Sequence, residues 1–177
     1  MTMAGVVPAD EQRRAAFELL FRAHYRSVEN FVTSRYGSTD TEAVMSRTFE
    51  VAWRRLDDIP SDATRGWLIS VARNCARNEM RGSRRRREHL DEIANVVAQS
   101  PESESNPISD STLEAFRYAF GRLSPADREV LLLADWDGLG GTDLAAALGV
   151  SKSTAAVRLH RARTRLRTSF IAREELP

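Results

Sequence analysis

The chain has 177 residues, of which 42% are hydrophobic and 29% are charged, and its formal net charge is +1. This composition is typical of a folded, water-soluble protein and excludes a disordered or collagen-like chain. No apolar run approaches the roughly 20 residues that span a bilayer, and the N-terminus lacks a signal-peptide pattern. The single cysteine, Cys75, excludes an internal disulfide framework and fits a reducing compartment. We therefore expect a cytoplasmic protein without membrane insertion.

The N-terminal half contains three stretches in which apolar residues recur at intervals of three and four, the spacing of one helix face. They run from Phe17 to Val32, from Val44 to Leu56 and from Trp67 to Cys75. Turn-forming residues separate them at Tyr36-Gly37-Ser38 and at Asp57-Asp58-Ile59-Pro60. The pattern predicts three helices.

The third of these helices leads into an arginine cluster. Residues 65–87 hold eight arginines and one acidic residue, Glu79. On the polar face, Arg73 and Arg77 are four residues apart and form one row, and asparagines at the same spacing form the next row. Because arginine binds phosphates and asparagine can hydrogen-bond to base edges, we predict a nucleic-acid surface, although a solvated helix face is the alternative. Its residues are Arg73, Asn74, Arg77, Asn78 and Arg81.

Residues 88–112 have a different composition. They contain six acidic residues and no Lys or Arg, and their second half is rich in serine. Such a segment buries too little apolar surface to offset the entropy that is lost on ordering it. It predicts a flexible acidic linker between two small helical domains.

The C-terminal part predicts four further helices. The first spans Leu113–Leu123, and the second follows Ser124, which acts as its N-cap ahead of Pro125. Thr142 is expected to cap a third, short helix, and Gly149 ends it. No stretch has the alternating pattern of a strand, so the sequence predicts an all-α protein.

The last predicted helix is apolar on one side and cationic on the other. Residues 151–167 contain six Lys or Arg and no acidic residue. Its apolar side is formed by Ala155, Leu159, Ala162 and Leu166, at intervals of four, three and four. With the short helix before it, this segment matches the helix-turn-helix pattern, whose second helix enters the major groove of DNA.

The opposite side of this helix is the predicted DNA-binding side. Arg161 can reach guanine and the methyl groups of Val157 can meet thymine, whereas the flanking cations, with Arg163 and Arg167, are expected to contact phosphates. A solvated basic face is the alternative. The predicted DNA-binding residues are Lys152, Ser153, Thr154, Val157, Arg158, Arg161 and Arg165.

Taken in order, these segments resemble the extracytoplasmic-function, or group IV, sigma factors of bacterial RNA polymerase. FELLFRAHYRSVENFV is similar to their region 2.1, DTEAVMSRTFEVAWRRL to region 2.2 and GWLISVARNCARNEMRGSRRR to regions 2.3 and 2.4. The segment from LSPADREVLLL to LHRARTRLR resembles region 4. The resemblance covers roughly residues 15–168, almost the whole chain.

The resemblance implies a role for each segment. Residues 13–87 would be region 2, which binds polymerase and opens the −10 element, and residues 113–170 would be region 4, which reads the −35 element. The loop Asp57–Thr64 would capture a base flipped out of the non-template strand. The acidic linker 88–112 would either thread through polymerase or serve as a spacer. The implied partners are core polymerase, promoter DNA and an anti-sigma factor.

The family pattern of region 2.2 is only partly present. The resemblance carries polymerase binding onto Asp40, Glu42 and Phe49, with Phe49 also a candidate core residue. Ala43, Ser46 and Arg47 stand where the family has an acid, a glutamine and another acid. We therefore expect docking on polymerase that is weaker or differently arranged than usual.

Nothing in the sequence supports an enzyme, and no cofactor or metal is expected. His24, His89 and His160 are far apart, and neither zinc-ligand spacing nor a phosphate-binding glycine loop is present. Two other interpretations remain open. The chain could be a helix-turn-helix regulator or sigma-like protein that does not program polymerase, or the two helical domains could serve mainly as a protein-interaction module.

Overall fold

The computed structural model describes residues 9–37, 41–83 and 110–174. These residues form seven α-helices and no strand, which confirms the all-α prediction. The chain divides into two compact units between Ser83 and Arg84, here called unit 1 and unit 2. The helices are α1 (Ala9–Tyr36), α2 (Thr41–Arg54), α3 (Thr64–Ser83), α4 (Asp110–Gly121), α5 (Pro125–Leu131), α6 (Gly141–Leu148) and α7 (Lys152–Glu174).

Unit 1 is formed by α1, α2 and α3, each of which packs against the other two. Its core is the apolar face that each helix was expected to bury, because side chains three and four residues apart lie on one side of a helix. Two polar residues of the described part of this unit, Thr48 and Arg73, are also buried, and the Thr48 hydroxyl donates to the Val44 carbonyl at 2.7 Å. The core includes Val28, Val32, Val44, Phe49, Leu68 and Ile69.

Unit 2 is built around α7, which packs against α4, α5 and α6. The small side chains of Ala155 and Ala162 on α7 are 1% and 0% exposed, so the neighbouring helices approach its backbone closely. The other helices of the unit contribute larger apolar residues to the core. These include Phe120, Leu123, Val130, Leu131, Leu133, Leu139 and Leu144.

The N-cap predicted from the sequence is confirmed for α5 but not for α6. The Ser124 hydroxyl accepts a hydrogen bond from the Asp127 N–H at 3.1 Å, as predicted for the start of α5. The prediction that Thr142 caps α6 is wrong, because the N-cap is Gly140 and α6 begins two residues earlier than predicted. Gly141, with a φ of 52°, allows this early entry because a residue with a Cβ would be strained there.

The predicted linker needs a correction at its C-terminal end. Helix α4 begins at Asp110, so residues 110–112 are helical although the sequence predicts linker there. The composition of residues 110–112 does not reveal this boundary, because the first turn of a helix needs no apolar residues. The rest of the predicted linker, up to residue 109, lies outside the described residues. None of the helices in the described ranges is both long and apolar enough to cross a membrane.

Candidate nucleic-acid interfaces

The turn between α6 and α7 sets the direction of the last helix. Gly149 has a φ of 65°, a left-handed conformation that glycine adopts without steric penalty. The Val150 N–H donates to the Ala145 carbonyl at 3.1 Å, which closes the end of α6. At the start of α7, the Ser151 hydroxyl accepts a hydrogen bond from the Thr154 N–H at 3.2 Å. These contacts form the helix-turn-helix that the sequence predicts.

Helix α7 has one buried side and one exposed side. Val157 is 48% exposed although it is apolar, so its methyl groups are available to a bound molecule. The exposed side also carries Lys152, Ser153, Thr154, Arg158 and Arg161. It therefore offers hydroxyls, a methyl pair and cations, the groups that bind base edges and phosphates in a major groove.

Arg165, which the sequence predicts to contact DNA, is engaged within unit 2. Its Nη1 donates to both carboxylate oxygens of Asp127 at 2.8 Å. The Asp127 side chain is 13% exposed and also accepts a hydrogen bond from the Ser124 hydroxyl at 2.8 Å. This side chain ties α7 to the first turn of α5 and is still 58% exposed, so its contact with DNA stays a prediction.

Arg163 is held in a similar way. Its guanidinium forms an ion pair with the carboxylate of Asp135, which lies in a π-helical turn that continues α5 through Leu132–Trp136. The hydrogen bond to this carboxylate raises the pKa of Arg163. Two of the cations of α7 are thus paired with carboxylates of the same unit, although the sequence predicts that Arg163 contacts phosphate.

The polar side of α3 is the second predicted nucleic-acid surface. Asn74, Arg77 and Asn78 are exposed there. Arg73 is only 8% exposed, because it lies on the buried face between Ile69 and Ala76. The prediction that Arg73 contacts DNA is corrected for this reason. The remaining predicted residue, Arg81, belongs to α3, and its side chain lies outside the described set.

The loop Asp57–Thr64 joins α2 to the N-terminal end of α3. Its C-terminal end is fixed by the Thr64 hydroxyl, which donates to the Pro60 carbonyl at 3.0 Å. At the other end, Arg55 donates to the Asp58 carboxylate at 3.1 Å and lies 5.7 Å from the centre of the Trp67 ring. The loop is therefore anchored on α3 at both ends.

Arg13, near the start of α1, also contacts this loop, although no sequence motif marks it. Its guanidinium pairs with the carboxylate of Asp57, and its Nη2 donates to the Trp53 carbonyl at 2.9 Å. The same group lies 5.4 Å from the centre of the Trp53 ring. Its partners lie 44 and 40 residues away, so no local spacing could reveal them.

Phe49 and Glu42, two of the three residues predicted to bind polymerase, differ in their exposure. Phe49 is 5% exposed and packs among other aromatic rings, with its ring centre 4.7 Å from that of Phe21 and 5.8 Å from that of Tyr25. Its prediction as a contact residue is corrected to a core position. Glu42 is exposed on α2, and Asp40 lies outside the described residues.

A groove of about 410 Å³ opens between α1 and α2 beside Phe49. Its lining combines aromatic rings with carboxylates, and it consists of Phe21, Tyr25, Glu29, Thr41, Glu42, Met45, Ser46 and Phe49. Burial raises the pKa of Tyr25, and Glu29 raises it further. The groove thus presents apolar rings beside the carboxylates of Glu29 and Glu42.

Arg47, which stands where the resembled family has an acid, has a partner within unit 1. Its guanidinium lies 3.2 Å from the carboxylate of Glu79 on α3. The reversed charge at position 47 is thus matched by a carboxylate on the neighbouring helix. Exposed Ala43 and Ser46 lie on the same helix, α2.

The described residues contain no group of three or more His, Cys, Asp or Glu side chains that could hold a metal ion. Cys75 is half-buried on α3, and this burial raises the pKa of its thiol.

Comparison with known proteins identifies the family. Residues 20–86 match the family model "Sigma-70 region 2" and residues 113–166 match "Sigma-70, region 4". RNA polymerase sigma factor NccH of Alcaligenes xylosoxydans xylosoxydans is 30% identical over 85% of this chain and 84% of its own length. RNA polymerase sigma factor CnrH of Cupriavidus metallidurans is 33% identical over 72% of each chain. This chain belongs to the ECF sigma factors of RNA polymerase.

A solved structure agrees with this assignment. The structure of CnrH in complex with the cytosolic domain of CnrY is 28% identical to this sigma factor, with a TM-score of 0.56, and the match covers 90% of both chains. In the family matches, α3 and the loop before it lie in region 2, and α7 lies in region 4. The resemblance inferred from the sequence motifs is therefore confirmed.

Proposed function

We propose that this sigma factor directs core RNA polymerase to specific promoters and promotes opening of the DNA there. One observation supports this most directly: the exposed polar faces of α3 and α7 lie in two separate units of a single chain. The face of α7 suits intact duplex, since a helix of this type fits a major groove. The side-chain amides of Asn74 and Asn78 on α3 suit unpaired bases, whose edges are open to hydrogen bonding.

The residue roles follow from this arrangement. In the −10 element, we assign DNA contacts to Asn74, Arg77, Asn78 and Arg81, together with the loop Asp57–Thr64. In the −35 element, we assign base or phosphate contacts to Lys152, Ser153, Thr154, Val157, Arg158, Arg161 and Arg165. The corresponding domains are residues 13–87 and 113–170, the second extended to include α4 from its start at Asp110.

For polymerase binding, we assign the exposed surface of α2, with Glu42 and Asp40. The exposed Ala43 and Ser46 and the paired Arg47 make this surface less acidic than the family pattern. An anti-sigma factor is a further proposed partner, because the related CnrH was solved in complex with the cytosolic domain of CnrY. The groove beside Phe49 is the proposed place where such a partner inserts an apolar side chain.

Transcription by a purified system tests the proposal. Core polymerase is combined with this protein and with fragments of genomic DNA, and the 5′ ends of the transcripts are mapped. We expect defined start sites that share two upstream elements, and we expect their loss when Arg161→Ala and Asn78→Ala are combined. Binding to duplex DNA without any transcripts would instead support the alternative, a helix-turn-helix regulator that does not program polymerase.

We infer no catalytic role for the chain itself. In this proposal, the polymerase forms the phosphodiester bonds, and the sigma factor contributes binding and DNA distortion in the cytoplasm without a cofactor. Purified chain without polymerase should therefore neither open promoter DNA nor make RNA, a result that permanganate reactivity of promoter thymines would check.

A further inference from the structure

We propose that Arg13 is a positioning residue for the binding of unpaired promoter DNA by the loop Asp57–Thr64. This inference rests on the proposed function, in which that loop holds a base flipped out of the non-template strand. Arg13 lies in α1, outside the sequence motifs that resemble sigma factors. It acts on the loop through Asp57 and Trp53.

One guanidinium makes three different contacts. It pairs with the Asp57 carboxylate, donates to the Trp53 carbonyl at 2.9 Å and lies 5.4 Å from the centre of the Trp53 indole. The planar, forked shape of arginine allows these contacts to form together, whereas a lysine ammonium would have to choose among them. Arg13 therefore links the start of α1 to the last turn of α2 and to the first residue of the loop.

The exposure of the partners shows why one contact alone would not be enough. The Asp57 side chain is 82% exposed, and an exposed ion pair by itself holds its partners weakly. The Arg13 side chain, in contrast, is 29% exposed, because it is packed against the Trp53 ring. The Trp53 carbonyl and ring thus hold the guanidinium in place, and the guanidinium in turn binds the exposed Asp57 carboxylate.

The contact also changes the charge that the loop presents to DNA. Asp57 and Asp58 are adjacent carboxylates, and unpaired they would repel the phosphates of a DNA strand. Arg13 pairs with Asp57, and Arg55 pairs with Asp58 at 3.1 Å. Each carboxylate of the loop's first turn therefore has its own arginine, one from α1 and one from the end of α2.

The far end of the loop is held independently of Arg13. The Ala63 N–H and the Thr64 hydroxyl both donate to the Pro60 carbonyl, at 3.2 and 3.0 Å. Loss of Arg13 should therefore release the first turn of the loop and leave the start of α3 in place. This predicts a local defect in binding unpaired DNA rather than unfolding of unit 1.

The test uses the holoenzyme formed from core polymerase and the full chain. Its affinity for a fluorescent single-stranded −10 oligonucleotide of the non-template strand is measured by anisotropy, alongside core binding and duplex −35 binding. We expect Arg13→Ala to weaken oligonucleotide binding by about fivefold to tenfold, with the other two affinities unchanged. Arg14→Ala, which removes a neighbouring exposed arginine of α1, is the matched control and should behave like the wild type.

A second substitution separates positioning from direct contact with DNA. Asp57→Asn removes the carboxylate that Arg13 holds and leaves the guanidinium in place. Positioning predicts that Arg13→Ala weakens oligonucleotide binding much less in the Asp57→Asn background than in the wild type. If Arg13 bound phosphate directly, Arg13→Ala would cause the same loss in both backgrounds, and the inference would be overturned.

The remaining outcomes are also decisive. Wild-type affinity for the oligonucleotide in Arg13→Ala would overturn this inference and leave the proposed function intact. Failure of the wild-type holoenzyme to bind the oligonucleotide or to start transcripts would instead refute the proposed function. Should Arg13→Ala lose core and duplex binding together with oligonucleotide binding, Arg13 would be a general stabiliser and the positioning role would be refuted.

Discussion

Arg165 and Asp127 connect the last helix of unit 2 to the first turn of α5, across 38 residues of sequence, through one guanidinium nitrogen that lies 2.8 Å from both carboxylate oxygens. Asp127 also accepts from the Ser124 hydroxyl, and its own N–H donates to that hydroxyl. One carboxylate thus serves both the cap of α5 and the orientation of α7. The pair therefore helps to hold α7 against α5.

The first prediction contrasts two arginines one helical turn apart on α7. Arg165→Ala should lower the free energy of unfolding by about 0.5–1 kcal/mol, since the pair with Asp127 is partly exposed, and should leave base preference in the −35 element unchanged. Arg161→Ala should relax that preference by about 1–3 kcal/mol with little effect on stability. Urea unfolding and binding to a set of −35 duplex variants measure both effects. A change of base preference in Arg165→Ala would show that Arg165 contacts the bases as well.

The second prediction concerns the rows of side chains on α3. Asn78→Ala and Arg77→Ala should reduce the permanganate reactivity of promoter thymines in the −10 element, because exposed groups that bind unpaired bases are removed. Arg73→Met should have its main effect on thermal stability, because Arg73 is 8% exposed on the packed face of α3. A selective loss of DNA opening in Arg73→Met, at wild-type stability, would contradict this assignment.

The third prediction separates the core from the polymerase-binding surface on α2. Phe49→Ala should destabilise unit 1 by about 3–5 kcal/mol, because it removes a buried ring from a cluster of aromatic side chains. Glu42→Ala, on the exposed side of the same helix, should leave the melting temperature unchanged and weaken binding to core polymerase. Differential scanning calorimetry and a core-binding titration distinguish the two. Equal melting temperatures for both variants would show that Phe49 is not a core residue.

The fourth prediction concerns Arg47 and Glu79, whose charged groups lie 3.2 Å apart on α2 and α3. Arg47→Glu should destabilise unit 1 because it places two carboxylates together, and adding Glu79→Arg should recover most of the loss. A double-mutant cycle should give a coupling energy of about 0.5–1 kcal/mol, typical of a partly exposed pair.

The same pair governs an attempt to restore the family pattern in region 2.2. Ser46→Gln with Arg47→Glu is expected to tighten core binding, and the benefit should be larger when Glu79→Arg is added to remove the repulsion. Core affinity that falls in both backgrounds would contradict the proposed place of this helix on polymerase.

Most of the architecture follows from local patterns. The helices, the Ser124 cap, the turn at Gly149 and the exposed side of α7 could be read from residues fewer than about eight positions apart, because helix formation and capping depend on neighbours along the chain. The motifs of regions 2 and 4 were recognisable for the same reason, since each lies on one helix or one turn. The exceptions, at Thr142 and at Asp110, concern helix boundaries, where the choice between two starting residues is energetically small.

Contacts between helices decide whether a charged side chain is exposed, buried or paired. Arg73 and Arg77 are one turn apart and look equivalent in the sequence, yet Arg73 is buried, because the width of the packed face of α3 is set by the helices beside it. Arg165 and Arg13 meet carboxylates that are 38 and 44 residues away. Packing of the helices decides which carboxylates reach an arginine, and therefore which arginines are paired within their own unit.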